Sequence, residues 1–181
     1  MIIERKWAMP NRETFKIKPI NDIIYDYMNN TVILSEADDY KYKWVDPFVR
    51  NSVFKGGCFL TNDLNPEIKA DYNLEATEFL QRIESVSVDG VLFDPPYSPR
   101  QIKECYNGLG LDVHKIDTQS SFYSVKKDEI KRILKKDGIC ISFGWNSNGI
   151  GKTRGFEIID ILIVAHGGNI HDTICTVERK L

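Results

Sequence analysis

The residues best placed to do chemistry are Asp94, Pro95, Pro96 and Tyr97, which directly follow an apolar run. Gly90 to Phe93 predicts a short buried strand, and the prolines end it because proline donates no hydrogen bond to a neighbouring strand. Since the prolines fix φ at two positions, Asp94 and Tyr97 project from a stiff turn at the carboxyl end of that strand. The Asp94 carboxylate and the Pro95 carbonyl are two acceptors that suit an exocyclic amino group, and the Tyr97 ring can stack on a heterocycle. The pattern indicates a site for an aminated base, and a turn without chemistry is the alternative.

Two further acids stand at the ends of apolar runs earlier in the chain. Asp46 follows Lys43-Trp44-Val45 and precedes Pro47-Phe48, so a second strand also stops at an Asp-Pro pair. Asp63 ends another apolar run, 17 residues after Asp46. In nucleoside-binding α/β folds, an acid at the end of the second strand binds the ribose hydroxyls. Asp63 suits that role, and capping of the turn Asn65-Pro66-Glu67 is the alternative.

The elements that must position these residues alternate between helices and strands. Helical periodicity predicts helices at Asn21 to Met28, Thr77 to Glu84, Pro99 to Asn107 and Tyr123 to Lys136, the last with Val125 inward. The residues before the first helix predict an irregular arm. Buried strands are predicted at 139–144, 156–165 and 171–178, with a hairpin turn signal, Gly167-Gly168-Asn169, between the last two. This alternation, with acids at successive strand ends, is typical of an α/β three-layer sandwich with a mostly parallel sheet.

Asp94-Pro95-Pro96-Tyr97 at a strand end resembles the DPPY motif of S-adenosylmethionine-dependent amino-methyltransferases, which methylate N6 of adenine or N4 of cytosine. The order of the other segments over nearly the whole chain is also similar to that family, above all to small phage and prophage adenine-specific DNA methyltransferases. The resemblance implies a Rossmann-like methyltransferase fold with a terminal antiparallel hairpin. It also implies S-adenosylmethionine as the cofactor.

The same resemblance implies roles for particular residues. The implied catalytic residues are those of the turn, Asp94, Pro95, Pro96 and Tyr97. The implied cofactor-binding residues come from four segments: Thr14, Phe15, Lys18 and Pro19 beside the methionine end; Asp46, Pro47 and Phe48 in the turn after the first core strand; Asp63 and Leu64 at the ribose; Glu75 and Ala76 near the adenine. Arg50 and Ser52 stand where the family usually has glycines.

Length and composition set the remaining expectations. The 181 residues suffice for one domain, 1–181, without a separate target-recognition domain. No stretch of about 18 residues is uninterruptedly apolar and the N-terminus lacks a signal-peptide segment, so we expect a cytoplasmic protein without a membrane partner. The family resemblance implies a bacterial host cell, with encoding by a phage or prophage as an open alternative. Cysteines and histidines do not pair at metal-ligand spacing, so no metal is expected. The net charge of −2 requires any DNA-binding surface to be locally basic, with Lys126-Lys127 and Lys152-Arg154 among the candidates.

Three functional interpretations remain open. The favoured one is a DNA methyltransferase that acts on N6 of a flipped-out adenine. The second is N4-cytosine methylation in DNA or N6-adenine methylation in RNA, because the turn recognises an amino group rather than a ring. The third, motivated by Arg50 and Ser52, is a non-catalytic nucleic-acid-binding relative that has lost the cofactor. Contacts to bases are expected from residues 110–122 and 145–155, with relaxed or short-site specificity or a homodimer that shares the DNA.

Overall fold

The computed structural model describes residues 1–30, 42–111, 120–168 and 170–181. In these ranges the strands are β1 (Ile2–Trp7), β2 (Trp44–Asp46), β3 (Leu60–Thr61), β4 (Val88–Phe93), β5 (Leu134–Gly144), β6 (Phe156–Ala165) and β7 (Thr173–Lys180). The α-helices are α1 (Lys18–Asn30), α2 (Ala76–Gln81), α3 (Pro99–Gly108) and α4 (Ser120–Ile133). None of these helices is both long and apolar enough to cross a bilayer.

The seven strands form one sheet in the order β1-β6-β7-β5-β4-β2-β3. Among them only β7 runs antiparallel to its neighbours, and it lies between β5 and β6. The predicted mostly parallel sheet with a terminal antiparallel strand pair is therefore confirmed. Because β2, β3, β4 and β5 are mutually parallel, their carboxyl ends meet at one edge of the sheet. That edge collects Asp46, Asp63 and Asp94.

Helices cover both faces of the sheet, as a three-layer sandwich requires. On one face, Ile20 and Ile24 of α1 are buried in a cluster with Leu92 of β4. On the other face, Phe79 of α2 and Ile130 of α4 are buried in a second cluster that lies against β4 and β5. Burial of this kind stabilises the fold by about 25 cal/mol for each Å² of apolar surface removed from water.

A glycine sets the close approach of β2 and β4. Gly90 is opposite Trp44 in the sheet, and a Cβ at position 90 would lie 2.3 Å from the Trp44 indole. Only glycine leaves room for that ring, which is buried between the strand and α1. The two strands that end in Asp46 and Asp94 therefore lie side by side.

The expectation of an irregular arm at the N-terminus was wrong for residues 2–7, whereas residues 8–13 are irregular. Ile2–Trp7 forms β1, a parallel edge strand bonded to β6. All six of its side chains are exposed, on both faces of the sheet. The strand is held by backbone pairing rather than by burial, so its sequence carries no alternation of apolar and polar residues that would predict it.

The boundary between α4 and β5 also differs from the prediction. The helix ends at Ile133, and Leu134 already pairs with Val88 of β4. Leu134 continues the helical spacing of apolar residues, so the pattern extends past the true end of the helix. Val125, expected to be inward, is 46% exposed, and Lys126 is buried in its place.

Residues 145–155 do not stay at the carboxyl edge of the sheet. Gly144 is opposite Ile174 of β7, and Phe156 is opposite Lys180 of the same strand. The two ends of the 145–155 segment are therefore six residues apart along β7 (180 − 174). At about 3.3 Å per residue this separation is about 20 Å. Only the first residues of the segment, beginning with Trp145, therefore lie near the edge that collects the acids.

Candidate active site

The turn between β4 and α3 is short and held by its own hydrogen bonds. Asp94 follows the last residue of β4, and Ser98 caps α3 by accepting the backbone N–H of Gln101 at 3.2 Å. The Gln101 side chain in turn accepts the backbone N–H of Tyr97 at 2.8 Å. Tyr123 of α4 donates its hydroxyl to the Pro96 carbonyl. The turn is therefore tied to helices on both sides, and the orientation of Asp94 and Tyr97 is set before any ligand binds.

Asp94 is at the centre of a small hydrogen-bond cluster. Its carboxylate accepts the hydroxyl of Tyr97, and the Thr14 hydroxyl, from a 3-10 turn (Thr14–Lys16) that precedes α1, lies near it. Burial raises the pKa of Asp94, and the Tyr97 hydrogen bond, the nearby Thr14 hydroxyl and the Arg50 charge oppose that rise. The carboxylate is thus held as an acceptor in a partly dry environment, where it interacts more strongly than in water.

A pocket of about 220 Å³ opens beside Asp94. Three segments that are distant in sequence form its wall: the stretch 12–16, the turn 48–53 after β2, and Asp94 itself. Phe15, which is part of this wall, is buried against Phe143, with ring centroids 4.9 Å apart. Phe48 lies against Phe93 at 5.9 Å. Two of the predicted cofactor segments and the predicted catalytic acid therefore meet at one cavity.

Asp46, at the end of β2, is fully buried. Its Oδ1 atom accepts the backbone N–H of Phe48 at 3.0 Å, whereas Oδ2 has no partner among the described residues. Burial raises the pKa of Asp46 to about 8; the Phe48 N–H opposes the rise, and the charges of Asp94 and Asp63 add to it. Buried carboxylate oxygens are normally hydrogen-bonded, so Oδ2 is an acceptor suited to a donor from a bound molecule.

The turn after β2 keeps a left-handed conformation without glycine. Arg50 has φ +43°, which costs a residue with a Cβ about 1–2 kcal/mol. Its backbone N–H donates to Asp63 at 2.9 Å, and the other Asp63 oxygen accepts the N–H of Asn65 at 2.8 Å. Asp63 thus joins the turn after β2 to the turn after β3. The same carboxylate has the lone pairs left to accept further hydroxyl groups.

Asn62 is a buried residue that the sequence did not single out. Its side-chain amide donates to the carbonyls of Pro47 at 3.1 Å and Leu74 at 3.0 Å, and its oxygen accepts the Leu74 N–H at 3.0 Å. It holds the turn after β2 against the segment that leads to α2. Its position next to Asp63 was the only sequence signal for this role.

No protein-family model matches the sequence, and no curated protein matches it. Solved structures do match the fold. One is a SAM-dependent methyltransferase from Archaeoglobus fulgidus, with a TM-score of 0.56 and 8% identity over 90% of this chain and 94% of that one. Another is the N-methyltransferase NodS from Bradyrhizobium japonicum, with a TM-score of 0.52 and 10% identity over 90% of this chain and 97% of that one. TrmN from Thermus thermophilus also matches (0.53, 15%), over 85% of this chain and 48% of its own. The fold is that of Rossmann-like methyltransferases.

Some residues that the resemblance placed at the cofactor lie outside the pocket of this methyltransferase fold. Lys18 is exposed and pairs with Asp22 at 3.0 Å, and Pro19 lies in the first turn of α1. Leu64 and Ala76 are absent from the pocket wall as well, and so are Asp46 and Asp63. Pro47 is buried below the turn, where its carbonyl is bonded to Asn62.

Glu75 has structural partners in this arrangement. It caps α2 by accepting the Thr77 N–H at 2.7 Å, and it pairs with Lys126 of α4 at 2.7 Å. Burial alone would raise the pKa of Glu75, but the Lys126 charge and the Thr77 hydrogen bonds hold it below its usual value. Lys126 also lies over the Phe122 ring, 3.4 Å from its centroid. The ion pair connects the two helices on one face of the sheet.

Aromatic side chains lie beside the turn that carries Asp94. The Trp145 ring lies 6.1 Å from the Tyr97 ring and 4.8 Å from His171. Trp145 is 45% exposed although it is large and apolar. It directly follows β5, so the end of an apolar run was the one sequence signal for its place. A half-buried Tyr97 ring and an exposed Trp145 ring beside a carboxylate can hold a planar heterocycle.

Proposed function

We propose that this protein transfers a methyl group from S-adenosylmethionine to N6 of an adenine in DNA, after the base has left the duplex. One observation carries the proposal: Asp94, bound by Tyr97, lies at the wall of a pocket built from the stretch 12–16 and the turn 48–53. An amine acceptor and a cleft of about 220 Å³ are thereby adjacent. The methyltransferase fold of the chain supports the choice of cofactor.

Residues in the pocket wall and directly behind it suit that cofactor. Phe48 is an apolar part of the wall. Asp46, two residues before Phe48, is buried outside the wall with Oδ2 unpartnered, and in this proposal Oδ2 accepts the ammonium group. Asp63, which is bonded to the backbone of Arg50 in the wall, accepts the ribose hydroxyls. When bound, the cofactor supplies a methyl group on a sulfonium sulfur, and the S–C bond breaks with its electron pair left on sulfur as the new N–C bond forms. No further activation of the methyl group is needed.

The role of Asp94 is to make the amine nucleophilic. The lone pair of an aromatic amine is delocalised into the ring. The Asp94 carboxylate and the Pro95 carbonyl can accept its two N–H groups and draw the nitrogen toward a tetrahedral shape. The surplus proton then leaves to solvent through Asp94. Since burial raises the pKa of Asp94, we expect activity to fall as pH drops toward that raised pKa.

Tyr97 and Trp145 provide the surface on which the base would stack. Flipping a base out of a duplex costs a few kcal/mol, and stacking on an aromatic side chain returns roughly 1–3 kcal/mol per base. The tie from Tyr123 to Pro96 keeps the turn from moving when the base enters. Orientation of this kind is the main contribution that the protein can make to a reaction with an activated methyl group.

The DNA surface that we propose contains few of the predicted basic residues. Lys126 is buried against Glu75, so it cannot serve as a surface cation. Arg154 pairs with Asp128 at 2.7 Å, at the end of the 145–155 segment that lies far from Asp94. Contacts near the target base would come from Trp145 and the residues just after it, and from residues 110–122, of which 112–119 lie outside the described ranges.

Two alternatives share this site. The turn recognises an amino group, so N4 of cytosine in DNA or N6 of adenine in RNA fits the same chemistry. A non-catalytic relative that has lost the cofactor was suggested by Arg50 and Ser52. The left-handed conformation of Arg50 weighs against loss of the cofactor, because the turn keeps the shape that glycine would give it.

The deciding experiment is transfer of labelled methyl groups from S-adenosylmethionine to duplex DNA, RNA or no acceptor, followed by digestion to nucleosides. We expect N6-methyladenine from DNA. Asp94→Ala should lower turnover by about a thousandfold and leave cofactor affinity within about twofold. Asp26→Ala, which removes an exposed carboxylate from α1, is the matched control and should act as the wild type does.

Each outcome of that experiment has a definite meaning. Label in N4-methylcytosine, or in RNA alone, would replace the proposed substrate with one of the alternatives. Near-normal DNA methylation by Asp94→Ala would contradict the assignment of the catalytic turn. Cofactor binding without transfer to any acceptor would support the non-catalytic alternative.

A further inference from the structure

The outer edge of β1 offers backbone groups to a further strand. Within the described ranges, β1 has β6 as its one neighbour in the sheet. Ala8, just after the strand, donates its backbone N–H to Ala165 at the end of β6, at 3.1 Å. Because successive residues of a strand direct their backbone groups to opposite sides, the N–H and C=O groups of the odd-numbered residues of β1 point away from β6. Ile3, Arg5 and Trp7 therefore present donors and acceptors that another strand can pair.

The side chains of β1 combine exposed apolar groups with charges of both signs. Ile3 is 59% exposed and Trp7 is 65% exposed, and both lie on one face because side chains alternate along a strand. Glu4 and Lys6 share the opposite face, where they form an ion pair at 2.8 Å. Charged residues are one means of keeping an edge strand from pairing. Here the charges are opposite and two residues apart, so a second copy of the same strand can satisfy both.

Symmetry limits the registers in which two β1 strands can pair. Two antiparallel copies related by a two-fold axis through the sheet bring odd-numbered residues opposite odd-numbered ones. Two such registers keep five of the six residues of β1 paired, residues 2–6 or residues 3–7. The first sets Glu4 opposite the partner's Glu4, whereas the second sets Glu4 opposite the partner's Lys6 and Ile3 opposite the partner's Trp7. Since like charges directly opposite are unfavourable and the other two kinds of pair are favourable, the second register is selected.

Arg5 lies at the two-fold axis of that register, opposite the partner's Arg5. This like-charge pair opposes association. Asp172 of the same chain lies 3.8 Å from Arg5 and reduces the repulsion. The partner's Trp7 is the diagonal neighbour of Arg5 on that face, within reach of a cation–π contact. Two ion pairs and two apolar pairs are thus set against one like-charge pair whose charges have other partners.

We propose that a second copy of this chain pairs with β1 across a two-fold axis, so that two seven-stranded sheets become one continuous sheet. The two backbones would form about six hydrogen bonds, two for each of the three pairs of odd-numbered residues. β1 runs parallel to β4, so antiparallel pairing turns the edges that carry Asp94 in the two protomers to opposite directions. A duplex shared between the two sites, one expectation from the sequence, is therefore not part of this dimer. Dimerisation of this kind does not require the proposed methyl transfer.

The test is a charge swap followed by sedimentation equilibrium over a range of protein concentrations. The wild type should be a reversible dimer. Glu4→Lys alone and Lys6→Glu alone should each raise the dimer dissociation constant about ten- to hundredfold, because two attractive pairs become two repulsive ones. The chain that carries both substitutions should associate within about threefold of the wild type, because opposite charges again meet across the axis. An equimolar mixture of the two single variants should form a mixed dimer for the same reason.

Two further variants separate charge from backbone. Lys69→Glu is the matched control, because it reverses an exposed lysine in the connection between β3 and α2, and it should dimerise as the wild type does. Arg5→Pro removes an N–H that points away from β6, where an edge strand tolerates proline. It should give a monomer that keeps the far-ultraviolet circular dichroism of the wild type.

Several outcomes would overturn the proposed dimer. A wild type that stays monomeric at every concentration would exclude a second copy as the occupant of this edge and leave a strand of another protein. Dimers that persist in both single variants would place the interface elsewhere on the chain. Failure of the double variant and of the mixture to associate would show that Glu4 and Lys6 do not face each other across the axis. Assemblies larger than a dimer would indicate a contact that does not close, which also contradicts two-fold pairing.

Discussion

Binding of S-adenosylmethionine should release a proton from Asp46. Burial raises the pKa of Asp46 to about 8, so at pH 7 about nine-tenths of the ligand-free protein carries a proton on this carboxyl. A cationic ammonium placed against the unpartnered Oδ2 favours the ionised carboxylate. Binding at pH 7 should therefore release about 0.9 proton per site, and binding above pH 9 should release almost none.

The release is measured by calorimetry in several buffers at one pH. The observed enthalpy should change linearly with the ionisation enthalpy of the buffer, with a slope equal to the number of protons exchanged. Asp46→Asn should give a slope near zero with weaker binding. Methylthioadenosine, which lacks the ammonium, should also give no slope. Measurable binding to the wild type at pH 7 with no buffer dependence would refute the placement of the ammonium at Asp46.

The same carboxyl should make the stability of the ligand-free protein depend on pH. Its folded pKa lies above the unfolded value of about 3.9, so the folded state holds the proton more tightly. The contribution of Asp46 to stability is therefore complete below pH 4 and is lost as pH rises through about 8. In that window the free energy of unfolding should fall by up to about 1.4 kcal/mol per pH unit, a slope that Asp46→Asn should flatten in urea titrations.

Substitutions at three places, Tyr97, the Lys126–Glu75 pair and Val86, test other parts of the structure. Tyr97→Ala should lower kcat/KM for DNA by roughly ten- to hundredfold through loss of stacking, whereas Tyr97→Phe keeps the ring, loses the bond to Asp94 and should retain much of the activity; equal losses would contradict the stacking role. Lys126→Met should lower the free energy of unfolding by about 2–3 kcal/mol, because it leaves the Glu75 carboxylate without its partner. The loss is smaller than for a fully buried pair, because Glu75 is 35% exposed. Adding Glu75→Gln to the Lys126→Met variant should recover part of the lost stability. Val86→Gly should raise the free energy of unfolding by about 0.5–1 kcal/mol through relief of its left-handed conformation, and Val86→Ala, which keeps the Cβ, should not.

Local chemistry made the catalytic turn and the sheet predictable. The prolines after Asp46 and Asp94 end the strands that precede them, because proline lacks the backbone N–H that a strand donates to its neighbour. This effect does not depend on the rest of the sequence. The apolar run 156–165 and the strand after it likewise predicted the terminal antiparallel pair. These features are predictable because they depend only on residues that are close together in the sequence.

Other features depend on partners that are distant in sequence. β1 exists because the backbone of β6 is beside it, and none of its side chains is buried. Leu134 continues the helical spacing of apolar residues but lies outside the helix, because it pairs with Val88, 46 residues earlier (134 − 88). Lys126 is buried and Val125 exposed because Glu75 and Thr77 offer the lysine partners on α2.

The sequence by itself determined which residues can do the chemistry, because an acid, two prolines and a tyrosine define a stiff acceptor turn with an aromatic face. Only the tertiary structure decided which of the predicted residues meet. It brought Thr14 to Asp94 across 80 residues (94 − 14), directed Lys18 to solvent, and placed Arg50 in the pocket wall. The reason is that a pocket is formed by the edge of a sheet, where strand order rather than order in the chain sets which side chains are neighbours.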